Sequence, residues 1–522
     1  MLTPEYLYRV SEASEELASQ LHNYIIRKII ERIMVRLGRG EKYLLTATDK
    51  WQIEALQDAG YLLEDITEEI AAHTKRQEQE LKEAMEDAGV RAMSYDSAVY
   101  EAAGLAPVEL RQSPQLVRLM QRNYDATMGT MRNFTRSTAS AAQQLFLSEL
   151  DKAYNLVSSG AVSYTQAVRE AVETVASNGV TVRYDSGRRD TIETATLRAV
   201  RTGISQATGA IQIARMEEMD WDIILTSAHL GARTGDGGAN PGNHLWWQGQ
   251  FFSRTGKTPG YPNFYEATGY GTVEGLCGVN CRHSFGPGDG VNNPFEDIGY
   301  EDNRKMELLN QRQRLLERRI RKTKRELQGL KTAIDNCKDD KLKFELQQKY
   351  DQKADLLSRQ NKAYKDFCKK NGLKTLQDRL HIAKWDRQQA AAARQGAKRH
   401  QNLVELQQKY DKIKSEIKEA GIKGKVTVNP EKVDVSGYTF DSRHMNAERA
   451  HGITRAEAER FIREADISLT RWEGRFVNYY GPNGATYVDV QEHNIRTAFT
   501  KEEFDPNTLK IREVMGKYGW KA

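Results

Sequence analysis

Two cysteines and one histidine lie within seven residues in the middle of the chain, in the order Cys277-x3-Cys281-x-His283. Two further histidines, His229 and His244, precede them in the same stretch, which is rich in glycine, asparagine, proline and aromatic residues. Tetrahedral zinc takes four thiolate or imidazole ligands, and these need no regular secondary structure between them. Since a bound metal can replace a hydrophobic core, all five residues are candidate ligands of a structural zinc ion.

A second interpretation of these residues requires no metal. Buried cysteines behave as small hydrophobic side chains, and a buried histidine such as His283 can be satisfied by a backbone hydrogen bond. The spacing matches no standard zinc finger, so both interpretations stay open. A catalytic zinc is not expected, because no carboxylate near the cluster stands out as a general base.

The cysteine count and the chain's apolar runs exclude several classes of protein. Four cysteines in 522 residues cannot form a disulfide scaffold, so we expect synthesis in a reducing cytoplasm. No run of 18 apolar residues is present, which excludes a membrane-spanning helix. The first residues lack the basic and apolar segments of a signal peptide, so export is not expected.

The elements that must position the candidate ligands fall within residues 206–295. Residues Trp221 to Thr226 predict a short buried strand, which leads into a long irregular stretch up to Gly290. A loop of this length inside a compact domain is normally functional or held in place by a ligand. We therefore predict an irregular α/β domain that contains the cysteines and histidines.

Residues 1–205 predict a helical region, since Leu21, Ile25 and Ile29 recur at the spacing of one helix face. Residues 1–110 carry 12 basic and 21 acidic side chains, and residues 301–420 carry 32 basic and 18 acidic ones. The near-neutral total therefore hides two oppositely charged regions, for which we expect different partners.

Residues 296–424 predict a long, basic, helical coiled-coil linker. Apolar residues occupy most a and d positions of a heptad register that starts at Met306 and continues through Cys337 to Phe344. A turn near Asn371 would make an antiparallel hairpin. The clustered basic residues could contact packaged DNA, although a solvated helix face explains the same charge.

Residues 425–522 predict a small α+β domain. Lys425 to Val428 predict a strand, Thr454 to Glu457 form a capping box at a helix start, and residues 475–490 predict a β-hairpin. The predicted fold is therefore multidomain and mainly α: a helical region, the irregular domain, the coiled-coil linker and this α+β domain.

Three motifs in the first part of the chain resemble one known family. They are Ser227-Ala228-His229-Leu230-Gly231-Ala232-Arg233, His244-Leu245-Trp246-Trp247-Gln248-Gly249 and Cys277-Gly278-Val279-Asn280-Cys281-Arg282-His283-Ser284-Phe285. Together they resemble the phage minor capsid protein 2 family, which is akin to the Mu F-like head-morphogenesis proteins of tailed phages. The resemblance covers about residues 1–295. A glycine-rich insertion from Thr234 to Asn243 leaves open whether His229 and His244 reach one metal.

This resemblance implies a structural role in the phage head. Proteins of this kind are minor virion components that act in head assembly, so we expect a location in the virion, inside the capsid or near the portal. The portal protein or the major capsid protein would be the partner, and synthesis would take place in the bacterial host cytoplasm.

The C-terminal residues resemble a second family, the toxin-type domains of the barnase–EndoU–colicin–RelE-like fold. The similar segments are Arg443-His444, Glu448 to Thr454, Tyr487-Val488 and Ile495 to Phe499. The resemblance implies metal-independent RNA cleavage, in which a 2′-hydroxyl attacks the adjacent phosphate. In this region His444 and His451 are suited to proton transfer, and Arg475, Arg496 and Thr497 are suited to binding the phosphate.

Two functions remain in competition. The first is a minor capsid protein that carries a C-terminal ribonuclease-like module without a cofactor of its own. The second is a delivered ribonuclease toxin whose N-terminal part only packages it in the virion. The residues from 431 to 522 include 14 basic and 15 acidic side chains, which counts against a strong RNA-cleaving enzyme, and an inactive binding module is a third outcome.

Overall fold

The computed structural model describes residues 1–45, 49–184 and 186–521. Helices make up most of these residues, and the chain divides by packing into two compact units, Met1–Lys398 and Arg399–Ala522. The prediction of a mainly α, multidomain protein is therefore confirmed. Among the described residues, no helix is both long enough and apolar enough to cross a bilayer.

The first unit consists of long helices and two small antiparallel sheets. Its helices are α1 (Pro4–Arg9), α2 (Glu12–Leu37), α3 (Glu41–Leu45), α4 (Asp49–Ala102), α5 (Pro114–Ser158), α6 (Tyr164–Asn178), α7 (Ile192–Glu218), α8 (His244–Trp247), α9 (Phe264–Thr268), α10 (Tyr300–Asn336), α11 (Asp340–Lys370) and the first part of α12 (Arg387–Glu419). Strands β1 (Thr181–Arg183) and β2 (Arg189–Thr191) form a ribbon, while β3 (Ile223–Thr226), β4 (Phe251–Ser253) and β5 (Phe285–Pro287) form a sheet in the order β4-β3-β5.

Local signals in the sequence set the ends of several of these helices. The Ser163 hydroxyl accepts a hydrogen bond from the Gln166 amide at 3.3 Å and caps α6. Ser113 caps α5 in the same way, and Pro114 occupies the first turn, where a missing amide proton costs nothing.

One hydrophobic core joins α2, α4, α5, α6, α10 and α11. The predicted apolar stripe of α2 lies in it, with Leu21, Ile25 and Ile29 no more than 1% exposed. Ile320, Leu327 and Leu330 of α10 are buried in the same core. The predicted helical segment after residue 296 is therefore packed into the first unit along much of its length.

The predicted heptad register is wrong from Cys337 onward. α10 ends at Asn336 and Cys337 has extended backbone angles, so the seam cannot continue on one helix. Asp339 caps the next helix by accepting a hydrogen bond from the Leu342 amide at 2.7 Å, and Phe344 is 62% exposed. The main hairpin thus turns at residues 337–339, while α11 ends at Lys370, close to the predicted turn at Asn371.

Two predicted domain boundaries do not coincide with the division between the two compact units. α7 runs without a break across the predicted boundary between residues 205 and 206. The boundary between residues 424 and 425 separates Ile413 and Ile417 of α12, both fully buried, from the C-terminal core to which they belong. By packing the chain forms two units, and the division into four functional parts stays a prediction.

The second unit is a six-stranded sheet with helices on both faces. Its further elements are β6 (Lys425–Val428), β7 (Thr439–Phe440), α13 (Arg455–Glu464), β8 (Ile467–Arg471), β9 (Phe476–Tyr480), β10 (Gly484–Asp489), β11 (Asn494–Thr500) and α14 (Pro506–Lys517). The strand order is β6-β8-β9-β10-β11-β7, and only the pair β11–β7 is parallel. Alternate strand residues face two cores, one shared with α13 and the other with α12 and α14.

Most C-terminal elements follow the predictions from the sequence. The strand at 425–428, the Thr454–Glu457 capping box and the hairpin β9–β10 are confirmed. Strand β8 and helix α14 were not predicted. Ile467, Leu469 and the α14 residues Ile511 and Met515 are nevertheless buried in the sheet's core.

The packing of α10 leads to a first prediction. Replacing both Leu327 and Leu330 with Asp should unfold the first unit as a whole, because two carboxylates would enter a shared core. Each substitution should cost at least about 3 kcal/mol of unfolding free energy, since Leu→Ala alone costs about that much in a packed core. Thermal unfolding followed by circular dichroism measures the loss.

The matched control for this prediction is Leu308→Asp on the same helix. Leu308 is 50% exposed, so its substitution should leave the melting temperature nearly unchanged. If the double variant melted as the wild type does, or lost helix only from α10 and α11, the shared core would be contradicted.

Candidate metal centre

The three-stranded sheet brings the two ends of the Cys/His region together. β3 pairs with β5, and beyond the paired residues the Ser227 amide donates to the Ser284 carbonyl oxygen at 2.9 Å. The Ser284 amide donates in turn to the Ser227 hydroxyl at 2.9 Å. Because His229 follows β3 and His283 precedes β5, this pairing stacks their rings, with centroids 4.3 Å apart.

The glycine-rich insertion does not keep His244 away from the other histidines. The His244 amide donates to the Arg233 carbonyl oxygen at 2.8 Å, so the two ends of the insertion meet. His244 is the first residue of α8, and its ring centroid lies 5.3 Å from that of His283. The insertion therefore does not prevent either upstream histidine from lying beside His283, and whether both reach one metal stays a prediction.

Helix α10 holds the loop that carries His229. The Asn303 side chain accepts hydrogen bonds from the amides of Gly231 at 2.8 Å and Ala232 at 2.9 Å, and donates to the Ala232 carbonyl oxygen at 2.9 Å. Asn303 is fully buried. The position of the loop thus depends on the packing of α10 described above.

Three of the predicted ligands form a compact, buried group. Potential ligand atoms of His244, Cys281 and His283 all lie within 4.8 Å of one another. The Cys281 sulfur is 3.7 Å from His283 Nδ1. Cys277 and His229 lie at the margin of this group, Cys277 as an electrostatic neighbour of Cys281 and His229 through its ring stack.

The hydrogen bonds of the two central histidines leave one nitrogen of each ring free for a metal. His244 Nε2 is 2.8 Å from the Glu274 carbonyl oxygen, which can only accept, so this nitrogen carries the proton. His283 Nε2 is 2.9 Å from Gln248 Oε1, and the same argument applies. Both Nδ1 atoms then carry lone pairs, which is the arrangement by which outer partners orient metal-binding histidines.

Burial keeps the imidazoles neutral. It lowers the pKa of His244 to about 4 and that of His229 to about 3, and it holds the pKa of His283 well below its usual value. Burial likewise raises the pKa of the Cys281 thiol. At neutral pH the site therefore offers the imidazole form that metals bind, and metal binding would release the thiol proton.

The donor set fits a zinc ion with mixed nitrogen and sulfur ligands. Two imidazoles and one thiolate would supply three positions of a tetrahedron, while Cys277 and His229 lie outside this group of three. A zinc ion held there would tie α8 to the segment before β5. Its role would be structural.

The predicted C-terminal site residues fall into two places within the second unit. His451 Nδ1 is 2.8 Å from Glu503 Oε1, and the His451 ring lies 5.7 Å from the ring of Phe499 on β11. The Thr497 hydroxyl, two residues earlier on β11, is buried and has no partner among the described residues. His444 is more exposed, with Nδ1 2.6 Å from Glu448 Oε2.

The two predicted arginines lie together near Phe476, on β9. Arg475 Nε donates to Asp489 Oδ2 at 3.0 Å, and Arg496 lies over the Phe476 ring at 4.5 Å. The Asp489 carboxylate already neutralises Arg475. Only the Arg496 charge near Phe476 is therefore left for a phosphate.

Sequence reasoning missed two residues that organise these sites. Gln248 accepts hydrogen bonds from both the His229 amide, at 3.1 Å, and His283. Its place in the motif that begins at His244 was the available signal. Glu503 pairs with His451 across 52 residues, and no local pattern could indicate that contact.

Metal analysis tests the zinc assignment. Protein purified without chelator should contain about one zinc per chain, because the described donors fit one tetrahedral ion. Cys281→Ser should remove most of the metal. In that variant, residues 227–287 should become the first part of the chain that proteases cleave, since the metal connects their irregular segments.

Two further variants make the zinc experiment specific. Cys337→Ser changes a buried cysteine far from the cluster in sequence and should keep the metal. Gln248→Ala removes the acceptor of His283 and should weaken zinc binding about 10–100-fold. Wild-type protein without any bound metal would overturn the assignment.

Comparison with known proteins agrees with the first of the two resemblances. The family model of phage minor capsid protein 2 matches residues 2–369, which is further than the 1–295 expected and includes α10 and nearly all of α11. No curated protein and no solved structure matches the chain. Since the match covers more than half of the sequence and contains the whole Cys/His cluster, the chain belongs to the phage minor capsid protein 2 family.

Proposed function

We propose that this protein is a minor structural component of the virion that acts in head morphogenesis through its first unit. The proposal rests on one observation: the residues that match the family model include the helices that pack around the main hydrophobic core. The family match ends at residue 369 and so includes α10 and nearly all of α11, which share one hydrophobic core with α2, α4, α5 and α6. The role of such a unit would be to present a folded surface to other head proteins.

The charge distribution supports partners of two kinds. The acidic N-terminal residues would face a basic surface of the portal protein or the major capsid protein. The solvent side of α10 is basic, with Arg312, Arg318, Arg319 and Lys322 exposed, and would contact packaged DNA. In this arrangement the buried side of α10 stabilises the unit, while its outer side binds DNA.

The candidate zinc site would support this role by fixing irregular structure. The sheet β4-β3-β5 has short strands, and the loops around it depend on single contacts such as that of Asn303. When bound, the metal supplies cross-links between these loops. The residues that would hold it are His244, Cys281 and His283, with Cys277 or His229.

Complementation of a phage that lacks this gene tests the structural proposal. Without the protein, the number of complete heads should fall by at least about tenfold, because an assembly component is missing. A chain shortened to residues 1–398 should restore head formation, since it retains the whole first unit. Counting heads by electron microscopy and plaques by titration separates assembly from infectivity.

The same experiment distinguishes the structural proposal from the alternative of a delivered toxin. If the protein is a delivered ribonuclease toxin, its loss should leave complete, infectious particles and change only the fate of the host cell. Wild-type head numbers in the absence of the gene would therefore contradict the structural proposal.

A ribonuclease-like activity of the second unit is the second candidate, and the His451–Glu503 pair favours it. Glu503 would hold the His451 ring in one orientation. His451 could then exchange a proton with the RNA while the 2′-oxygen bonds to phosphorus and the 5′-oxygen leaves. The Thr497 hydroxyl, which lies on β11 together with Phe499, would donate to a phosphate oxygen.

RNA cleavage by the full-length protein tests this second candidate. In the presence of chelator, the wild type should produce fragments with 2′,3′-cyclic phosphate ends, and His451→Ala should slow the reaction about 100-fold or more because a proton carrier is lost. The control is His493→Ala, which removes an exposed histidine from the same unit and should not change the rate. If the wild type did not cleave RNA, or if the two variants cleaved it at the same rate, the second unit would instead be a binding module.

A further inference from the structure

Four arginines from distant parts of the sequence meet in the first unit. Arg201 lies on α7, Arg282 between Cys281 and β5, Arg314 on α10, and Arg379 in the single helical turn between α11 and α12. We call these four residues the arginine quartet. Each comes from a different segment, so only the complete fold of the first unit assembles the group.

Electrostatic and ring contacts place the quartet in one region. Arg282 interacts electrostatically with the other three guanidinium groups. Arg201 and Arg379 both lie over the ring of Tyr8, at 4.7 Å and 4.0 Å from its centroid. All four side chains are partly buried, so solvent only partly screens their repulsion.

Most of the hydrogen-bond donors of the quartet are unused. Arg201 donates to the Tyr8 carbonyl oxygen at 3.0 Å and Arg282 to the Gly231 carbonyl oxygen at 3.5 Å. Arg314 makes no hydrogen bond and no ion pair within the described part of the chain. The Nε atoms of Arg201 and Arg379 are buried, also without a partner among those residues.

The acidic groups that face the quartet are too few to neutralise it. Glu317 approaches Arg379 at 3.8 Å, and Glu15 interacts electrostatically with Arg201. Glu15 is also shared with two further arginines, Arg321 and Arg325. These two carboxylates are shared among more guanidinium groups than they can neutralise, which leaves an excess of positive charge in a partly buried place.

Such an arrangement is unfavourable unless an anion completes it. Burial, together with neighbouring arginines, lowers the pKa of both Arg201 and Arg314, in agreement with uncompensated charge. A guanidinium group offers a planar fork of donors that matches phosphate oxygens, and charge-assisted hydrogen bonds of this kind are among the strongest in proteins.

We propose that the arginine quartet binds a phosphate group. A phosphate dianion brings negative charge to the site and has enough oxygen atoms to accept hydrogen bonds from several guanidinium groups at once. Because the side chains are partly buried, free inorganic phosphate fits the quartet better than a phosphodiester within a stiff duplex. Bound phosphate would connect α7, α10 and the segment of Arg282, and so stabilise the first unit.

Titration of the full-length protein with inorganic phosphate tests the proposal. Phosphate should raise the melting temperature and show calorimetric binding, whereas potassium chloride of equal ionic strength should not. Arg314→Gln should weaken phosphate binding about 10–100-fold, the range expected for one lost charge-assisted hydrogen bond. In phosphate-free buffer this variant should melt at the same temperature as the wild type or above it, because a repulsive charge is gone.

A control variant and a second ligand distinguish the possible outcomes of this titration. Arg319→Gln removes an exposed arginine from the same helix and should bind phosphate as the wild type does. A short DNA duplex, added instead of phosphate, identifies the source of the phosphate group. If the protein binds the duplex but not inorganic phosphate, and Arg314→Gln weakens duplex binding tenfold, the site is confirmed and its ligand is DNA.

Two results would overturn the proposal. The first is that neither phosphate nor duplex shows binding that depends on Arg314. The second is that Arg314→Gln lowers the melting temperature in phosphate-free buffer, which would identify the residue as a stabilising part of the core.

Discussion

The close packing of α10 against α6 is the contact on which the first unit depends. Gly329 of α10 lies so near Ala176 of α6 that an added β-carbon would stand 2.5 Å from the Ala176 side chain. Glycine is needed there because any larger residue would force the helices apart. At this distance Leu327 and Leu330 are fully enclosed, and their burial stabilises the whole unit. α10 is therefore a structural part of the first unit.

The same helix connects this core to the Cys/His cluster and to the arginine quartet. Asn303, near the start of α10, fixes the loop that carries His229. Arg314 lies further along the same helix. Displacing α10 would consequently disturb both candidate sites at once. In the middle of the helix, Arg325 pairs with the buried Glu193 at 2.5 Å, and His22 contacts the same carboxylate at 2.7 Å. Burial alone would raise the pKa of Glu193, yet Arg325 and His22 hold it well below its usual value.

Local signals in the sequence were sufficient to predict individual helices and strands, but not how these elements pack together. The cap at Ser163 and the capping box at Thr454 could be predicted because each depends on residues three positions apart. The heptad register could not reveal that Cys337 ends a helix, since apolar spacing continues through the turn. The candidate ligands were predicted from residue type. Their division into a central three and a marginal two depends on the pairing of β3 with β5, which the sequence does not display.

Hydrogen exchange on the intact protein tests most directly whether α10 belongs to the core of the first unit. The account predicts that amides from Ile320 to Ile334 exchange as slowly as those of α2 and α6, because one cooperative unfolding event exposes all of them. Mass spectrometry of peptides from these helices measures the rates side by side. Fast exchange in α10 and α11, with α2 and α6 still protected, would show a separable linker and contradict the account.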